Sequence, residues 1–257
     1  MKAGLQQERF DGLARCYAWG VHLYTASGLL VAGAIAYVLV GERPDKFRLA
    51  FLLMLVATII DATDGFLARR ARVKEVLPGF DGRRLDDITD FLNYVFLPLF
   101  LMYQARLLPD GQNGWLLVPL VASAYGFCQV SAKTDDGFFL GFPSYWNLIV
   151  FYLYTLDPPP WFTIGALALF SLLTFVPMRY LYPSQPGRLN KLSLLLGAVW
   201  GVLLLLILWG ARTEPLDGDR AQRLASVSLF YPLYYLVASA VVTVRYWLAA
   251  RERAELE

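Results

Sequence analysis

The stretch RLAFLLMLVATIIDATDGFLARR, residues 48–70, decides how the chain is read. Its first half is apolar for long enough to begin a membrane helix, which needs about 20 such residues. Its second half then places Asp61 and Asp64 three residues apart, on one helix face. A second pair, Asp86 and Asp90, follows at a spacing of four, and six aspartates in all fall between Asp61 and Asp90. An ionised group inside a membrane costs roughly 2.5–3.5 kcal/mol on insertion scales, so such groups are rarely there without a task. A metal ion bound by all four would compensate that cost.

Working outward, the composition is 57% hydrophobic and 17% charged, with a mean hydropathy of +0.47. A soluble domain of 257 residues would expose too much of such a surface. The expected fold is therefore an all-α polytopic membrane protein, a single membrane-embedded domain over 1–257. Eight apolar segments are expected to span, at 18–41, 48–68, 88–106, 114–132, 140–156, 161–178, 192–211 and 226–249. Asp157-Pro158-Pro159-Pro160 leaves the fifth and sixth short; two tight spans are favoured over a re-entrant hairpin. Residues 1–17, charged from Lys2 to Arg15 and with no short signal peptide, read as an amphipathic helix lying in the interface. Pro183-Ser184-Gln185-Pro186-Gly187 is a turn-rich loop. Sixteen of the 23 Lys and Arg residues fall on the N-terminal side of this topology, which puts both termini and the aspartates in the cytoplasm. The net charge of +2 gives no reason to expect nucleic acid. Cys16 and Cys128 lack ligand or disulfide spacing and read as packing residues.

In full, the aspartate segment is Asp61-x-x-Asp64-Gly65-x-x-Ala68-Arg69, twelve residues, then Gly82-x-x-x-Asp86-x-x-x-Asp90. Gly65 and Ala68 keep one helix face nearly bare, so a bulky ligand can lie against backbone. Taken alone, that pair more often marks tight helix packing. Arg69 offers a planar fork suited to phosphate oxygens. Carboxylate oxygens suit Mg²⁺ or Mn²⁺, and one histidine cannot build a zinc site. Two cations beside Arg69 would neutralise a diphosphate and support an in-line displacement. Asp90, the last of the set, is the candidate base for an attacking hydroxyl. The competing reading is an ion path through a transporter, which leaves Gly65, Ala68 and Arg69 without a role.

The pattern resembles the signature of the CDP-alcohol phosphotransferase family, membrane enzymes that move a phospho-alcohol from a CDP-linked donor to a hydroxyl and release CMP. Every fixed position from Asp61 to Asp90 is matched; the twelve-residue spacer departs from the shorter one of most members. That spacer is similar to the bacterial phosphatidylcholine synthase branch. So are His22-Leu23-Tyr24-Thr25-Ala26-Ser27-Gly28, Val73-Lys74-Glu75-Val76-Leu77-Pro78, and the stretch from Lys133-Thr134-Asp135 to Trp146-Asn147. The resemblance implies CDP-diacylglycerol and choline as substrates, Mn²⁺ or Mg²⁺ (two ions) as cofactor, and an active site facing the cytoplasm of a bacterial inner membrane, open sideways to lipid. It implies that Asp61, Asp64 and Asp86 hold metal, with Asp90 sharing in ligation and acting as base. Asp64, Gly65, Ala68, Arg69 and Gly82 would line the CDP-diacylglycerol site. Members of the family are commonly dimers, which makes a homodimer the expected assembly.

Choline's quaternary ammonium would be met by aromatic faces, each worth about 0.5–1 kcal/mol when exposed and about 2 when dry. Tyr94, one turn beyond Asp90, is the first candidate; Tyr24, Tyr145 and Trp146 follow, with Phe138 and Phe139 nearby. Tyr and Trp also form interfacial belts in membrane proteins generally. Asp135 and Asp136 beside Lys133 suit a cationic acceptor better than an anionic one, with serine the alternative. His22 reads as structural rather than as an acceptor contact.

Overall fold

The computed structural model describes residues 12–130, 134, 138–181, 188–211, 216 and 218–254. Residues 1–11 of the expected interfacial helix, Lys133 with Asp135 and Asp136, and the Pro183–Gly187 loop lie outside the described residues. The chain divides into two compact units, Met1–Leu101 and Met102–Glu257.

The first unit contains α1 (Gly12–Val40), α2 (Lys46–Arg70), the short α3 (Val73–Val76) and α4 (Gly82–Asp90). From α4 the chain continues through a π-helical turn, Phe91–Phe96, into α5 (Leu97–Gln104). Because nothing between Gly12 and Val40 breaks the helix, residues 12–17 belong to α1; the interfacial segment does not end at a helix boundary there. One stripe of α1 is buried: Ala18, Val21, His22, Thr25, Gly28, Ala32, Ile35 and Leu39, at spacings of three and four wherever successive members are not neighbours. Leu30 and Tyr37, off that stripe, are 77% and 83% exposed. The turn into α2 is held by Lys46, whose ammonium donates to the Leu39 and Gly41 carbonyls at 3.3 Å, and by Asp45, which pairs with Arg43 and Arg48 at 3.1 Å.

The spacer after α2 is folded. Arg72 takes a left-handed conformation (φ 50°) and turns the chain. Ala71, Val73, Val76 and Leu77 then bury against Ala18 and Val21 of α1, with Ala68 packed beside them. Asp81 caps α4 by accepting from the Arg84 N–H at 3.3 Å.

The second unit takes over in the last turn of α5, and a 3₁₀ turn (Asn113–Leu116) then leads into α6 (Leu117–Cys128). After β1 (Phe138–Leu140) come α7 (Trp146–Leu156), α8 (Pro160–Phe175) and β2 (Arg179–Leu181), then α9 (Arg188–Gly210), α10 (Asp219–Ser228) and α11 (Phe230–Ala254). The two strands depart from the all-α expectation. They pair antiparallel, Phe138 opposite Leu181 and Leu140 opposite Arg179, and so close the α7–α8 hairpin at its base. Gly141 makes this closure possible: its φ is +83°, and a Cβ there would sit 2.4 Å from the Thr174 carbonyl oxygen. The far edge of β2 is satisfied by three hydroxyls spaced four apart on α11. Thr243 accepts from Arg179 N at 2.8 Å, Ser239 accepts from Leu181 N at 3.1 Å, and Tyr235 donates to Leu181 O at 3.0 Å.

Four described helical runs are long and apolar enough to cross a membrane: Gly12–Val40, Lys46–Arg70, Lys191–Gly210 and Asp219–Glu252. Shorter apolar helices accompany them, at Asn113–Cys128, Trp146–Leu156 and Pro160–Phe175. This is the make-up of a polytopic membrane protein. Each of the eight expected segments contains a described helix, but the one at 140–156 opens in β1 and is helical only over Trp146–Leu156; this α7, with 11 residues, rises only about 16 Å. Replacing Ser239 with Ala leaves the Leu181 N–H without its acceptor. It is expected to destabilise the protein by about 1–3 kcal/mol, read as a lower melting temperature of the detergent-solubilised protein.

Candidate active site

Each carboxylate of the signature is positioned by a specific helix contact. α4 lies close against α1 because position 28 has no side chain: a Cβ on Gly28 would come within 2.5 Å of Thr89 Cγ2. Asn93 locks that approach, its Nδ2 donating to Gly28 O at 3.1 Å and to Thr89 O at 2.9 Å. Thr89 itself donates back to Leu85 O, the usual fate of a mid-helix threonine. The same helix carries Asp86 and Asp90, both partly buried, where they meet Asp61 of α2.

Asp61 on α2 and Asp86 and Asp90 on α4 converge, each offering an oxygen such that all three lie within 4.8 Å of one another. All three are partly buried. Like charges this close are stable together only with a cation or protons among them. Hard oxygen donors from two helices fit a divalent ion of the Mg²⁺ or Mn²⁺ type. Asp64 stands outside this trio. It is 6% exposed and its Oδ2 accepts from the Thr25 hydroxyl of α1 at 2.8 Å. A carboxylate has two oxygens and about four lone-pair sites, so this bond orients Asp64 without exhausting it.

Gly65 and Ala68 separate in role. A Cβ on Gly65 would meet, among the described residues within 4 Å, only Nη1 of Arg69 at 3.3 Å. Helix packing does not require that glycine; it leaves bare backbone beside a guanidinium. Ala68, by contrast, packs against the α1–α3 cluster. Gly82 lies under His22, where a Cβ would be 2.5 Å from Cε1. His22 is buried and its ring packs on Phe80, centroids 4.5 Å apart, in keeping with the structural reading of that histidine.

The aromatic candidates belong to both units. Tyr24 is partly exposed and hydrogen-bonds through its hydroxyl to Thr63, next to Asp64, at 2.8 Å. Tyr94 is 8% exposed, and its hydroxyl donates to Asp61 Oδ2 at 2.7 Å; burial leaves its ring little face for a cation. Tyr145 and Trp146 belong to the second unit. Trp146 is fully buried and its indole N–H donates to Ser123 at 2.7 Å. The Tyr145 ring lies 6.2 Å from that of Tyr235. Thr25 and the hydroxyl role of Tyr94 escaped the sequence reading, although both lie one helical turn from residues it singled out.

With this geometry established, known proteins were compared. The family model described as CDP-alcohol phosphatidyltransferase matches residues 22–134. A phosphatidylcholine synthase of Pseudomonas aeruginosa is 35% identical over 239 residues, 91% of this chain and 93% of that one. One from Borreliella burgdorferi is 30% identical, covering 89% of this chain and 95% of its own. One from Legionella pneumophila is 42% identical over 68% of each. The chain belongs to the CDP-alcohol phosphatidyltransferase family. The family's enzymes generally use divalent metals, and the Asp61, Asp86 and Asp90 trio of this member can hold one. Its four long apolar helices make this family member an integral membrane protein.

Two glycine variants distinguish packing from ligand approach in this phosphatidyltransferase. Gly28→Val is expected to lower the melting temperature, since over-packing typically costs about 1–3 kcal/mol. Gly65→Ala is expected to keep or raise the melting temperature, because Ala favours the helix by about 1 kcal/mol. It should nevertheless weaken CMP binding, measured by calorimetry on the same protein.

Proposed function

We propose that the chain is a phosphatidylcholine synthase: it transfers the phosphatidyl group of CDP-diacylglycerol to choline and releases CMP. The observation that carries the reading is the convergence of Asp61, Asp86 and Asp90 within 4.8 Å. It occurs in a chain that aligns over nine-tenths of its length with a relative bearing that name.

In this reading Asp61, Asp64 and Asp86 hold two ions, Mn²⁺ or Mg²⁺, with Asp90 sharing in ligation. When bound, the ions neutralise the diphosphate and stabilise the charge of the displaced phosphate. Arg69, folded back beside bare Gly65, takes a phosphate oxygen of the donor. Ala68 and Gly82 shape the wall of that nucleotide site through the packing described above. Asp90 accepts the proton of choline's hydroxyl, and the choline oxygen forms a bond to the phosphorus bearing diacylglycerol. The bond from that phosphorus to the bridging oxygen breaks, and CMP leaves with that oxygen. A positioned base contributes typically about 10²–10⁴-fold to such a step.

The finer topology belongs to the same reading: eight spans, both termini and the site on the cytoplasmic side of a bacterial inner membrane, and a homodimer as the assembly. Tyr24, next to Thr63 and Asp64, is the aromatic residue of the first unit best suited to meet choline's ammonium.

CMP release by purified protein, given CDP-diacylglycerol with choline, serine, inositol or glycerol 3-phosphate in parallel, tests the assignment. Choline alone should support turnover, a divalent chelator should abolish it, and Asp90→Asn should reduce it by about 10²-fold or more. Turnover with serine in place of choline would reassign the acceptor. Ion flux in liposomes without CMP release would replace the enzyme by a transporter.

A further inference from the structure

We propose that Tyr94 is a positioning residue for the metal site: its hydroxyl fixes the orientation of the Asp61 carboxylate and thereby sets the affinity of the trio for a divalent cation. The inference rests on the reading of Asp61, Asp86 and Asp90 as a metal site. It does not depend on which alcohol is the acceptor.

The geometry has three parts. The phenol donates to Asp61 Oδ2 at 2.7 Å, a short bond to an ionised acceptor. Thr58, one turn before Asp61 on the same helix, stands beside the phenol and donates its own hydroxyl to Met54 O at 2.9 Å. The ring is 8% exposed and sits in the π-helical turn directly after Asp90. Such turns recur at functional sites because the extra residue per turn re-aims side chains. Here Tyr94 reaches across to α2, and its neighbour Asn93 reaches Gly28 on α1.

The electrostatics explain why such a residue is needed. A carboxylate beside two others turns away from them unless something holds it. A neutral O–H donor holds one oxygen and withdraws charge from it, yet brings no positive group to compete with a metal. It also leaves the second oxygen directed by the first. Groups that orient metal ligands typically change metal affinity or activity by about 10–100-fold when removed. A ring serving choline by cation–π contact would instead need an open face, and its hydroxyl would be dispensable.

The test is Mn²⁺ binding to metal-stripped, detergent-solubilised protein, followed by the electron paramagnetic resonance of free Mn²⁺, alongside choline kinetics and metal-free melting temperature. Tyr94→Phe should raise the Mn²⁺ Kd about 10–100-fold with the KM for choline unchanged, the metal-free melting transition showing that the variant is folded. Added to Asp61→Ala, which leaves no carboxylate for the phenol to orient, it should raise Kd no further. Thr58→Val, which puts a methyl in place of the hydroxyl beside the phenol, should shift Kd in the same direction and provides the readout if the Phe variant does not fold. A wild-type Kd in folded Tyr94→Phe, or in Thr58→Val where that variant provides the readout, overturns the proposal. A raised choline KM at unchanged Kd overturns it in favour of acceptor binding. Wild-type protein that binds Mn²⁺ but releases no CMP with choline would count against the proposed activity alone, leaving the Kd comparison intact.

Discussion

Carboxylate oxygens within 4.8 Å of one another repel, and the two helices that carry them are held together against that repulsion. The restraint begins far from any charge, in the absence of a side chain at Gly28 that lets α4 sit against α1. Asn93 fastens the approach with two backbone bonds, and α1 and α2 are joined by a short turn capped by Lys46. On this frame Tyr94 grips Asp61 and Thr25 grips Asp64. Two neutral hydroxyls therefore govern two of the four acids, and neither cancels the negative potential that attracts a cation.

Much of this was legible in the residues. Asp61, Asp86 and Asp90 announced themselves by spacing, because a helix puts residues three and four apart on one face. Each of the eight apolar segments contains a helix, which satisfies its backbone within the segment as lipid requires, although the one at 140–156 opens in β1. What spacing could not give was the direction of each side chain across the gap between helices. Asp64 looked equivalent to Asp61, yet it turns towards Thr25 on a helix 39 residues earlier in the chain. Tyr94 looked like a ring on the aspartate face; that its hydroxyl reaches Asp61 depends on where α2 lies.

The spacer teaches a related point. It falls between the expected spans at 48–68 and 88–106, yet its apolar residues at 71, 73, 76 and 77 bury against α1, with Leu67 and Ala68 of α2 beside them. Their burial fixes where α4 starts, and so where Asp86 and Asp90 point. The added length is a structural support under the site, and the support runs through Ala18 and Val21, which no motif singled out.

The three alcohols of α11 deserve a last thought in evolutionary terms. Tyr235, Ser239 and Thr243 stand in for a third strand beside β2. A hydrogen-bonding ladder made by a helix tolerates no insertion: one added residue would rotate the later rungs by about 100° and strand the amides they serve. Drift along this helix is thereby channelled to its outward face, where Val237, Val241 and Val244 already point away from the ladder, while its length between Tyr235 and Thr243 is effectively frozen.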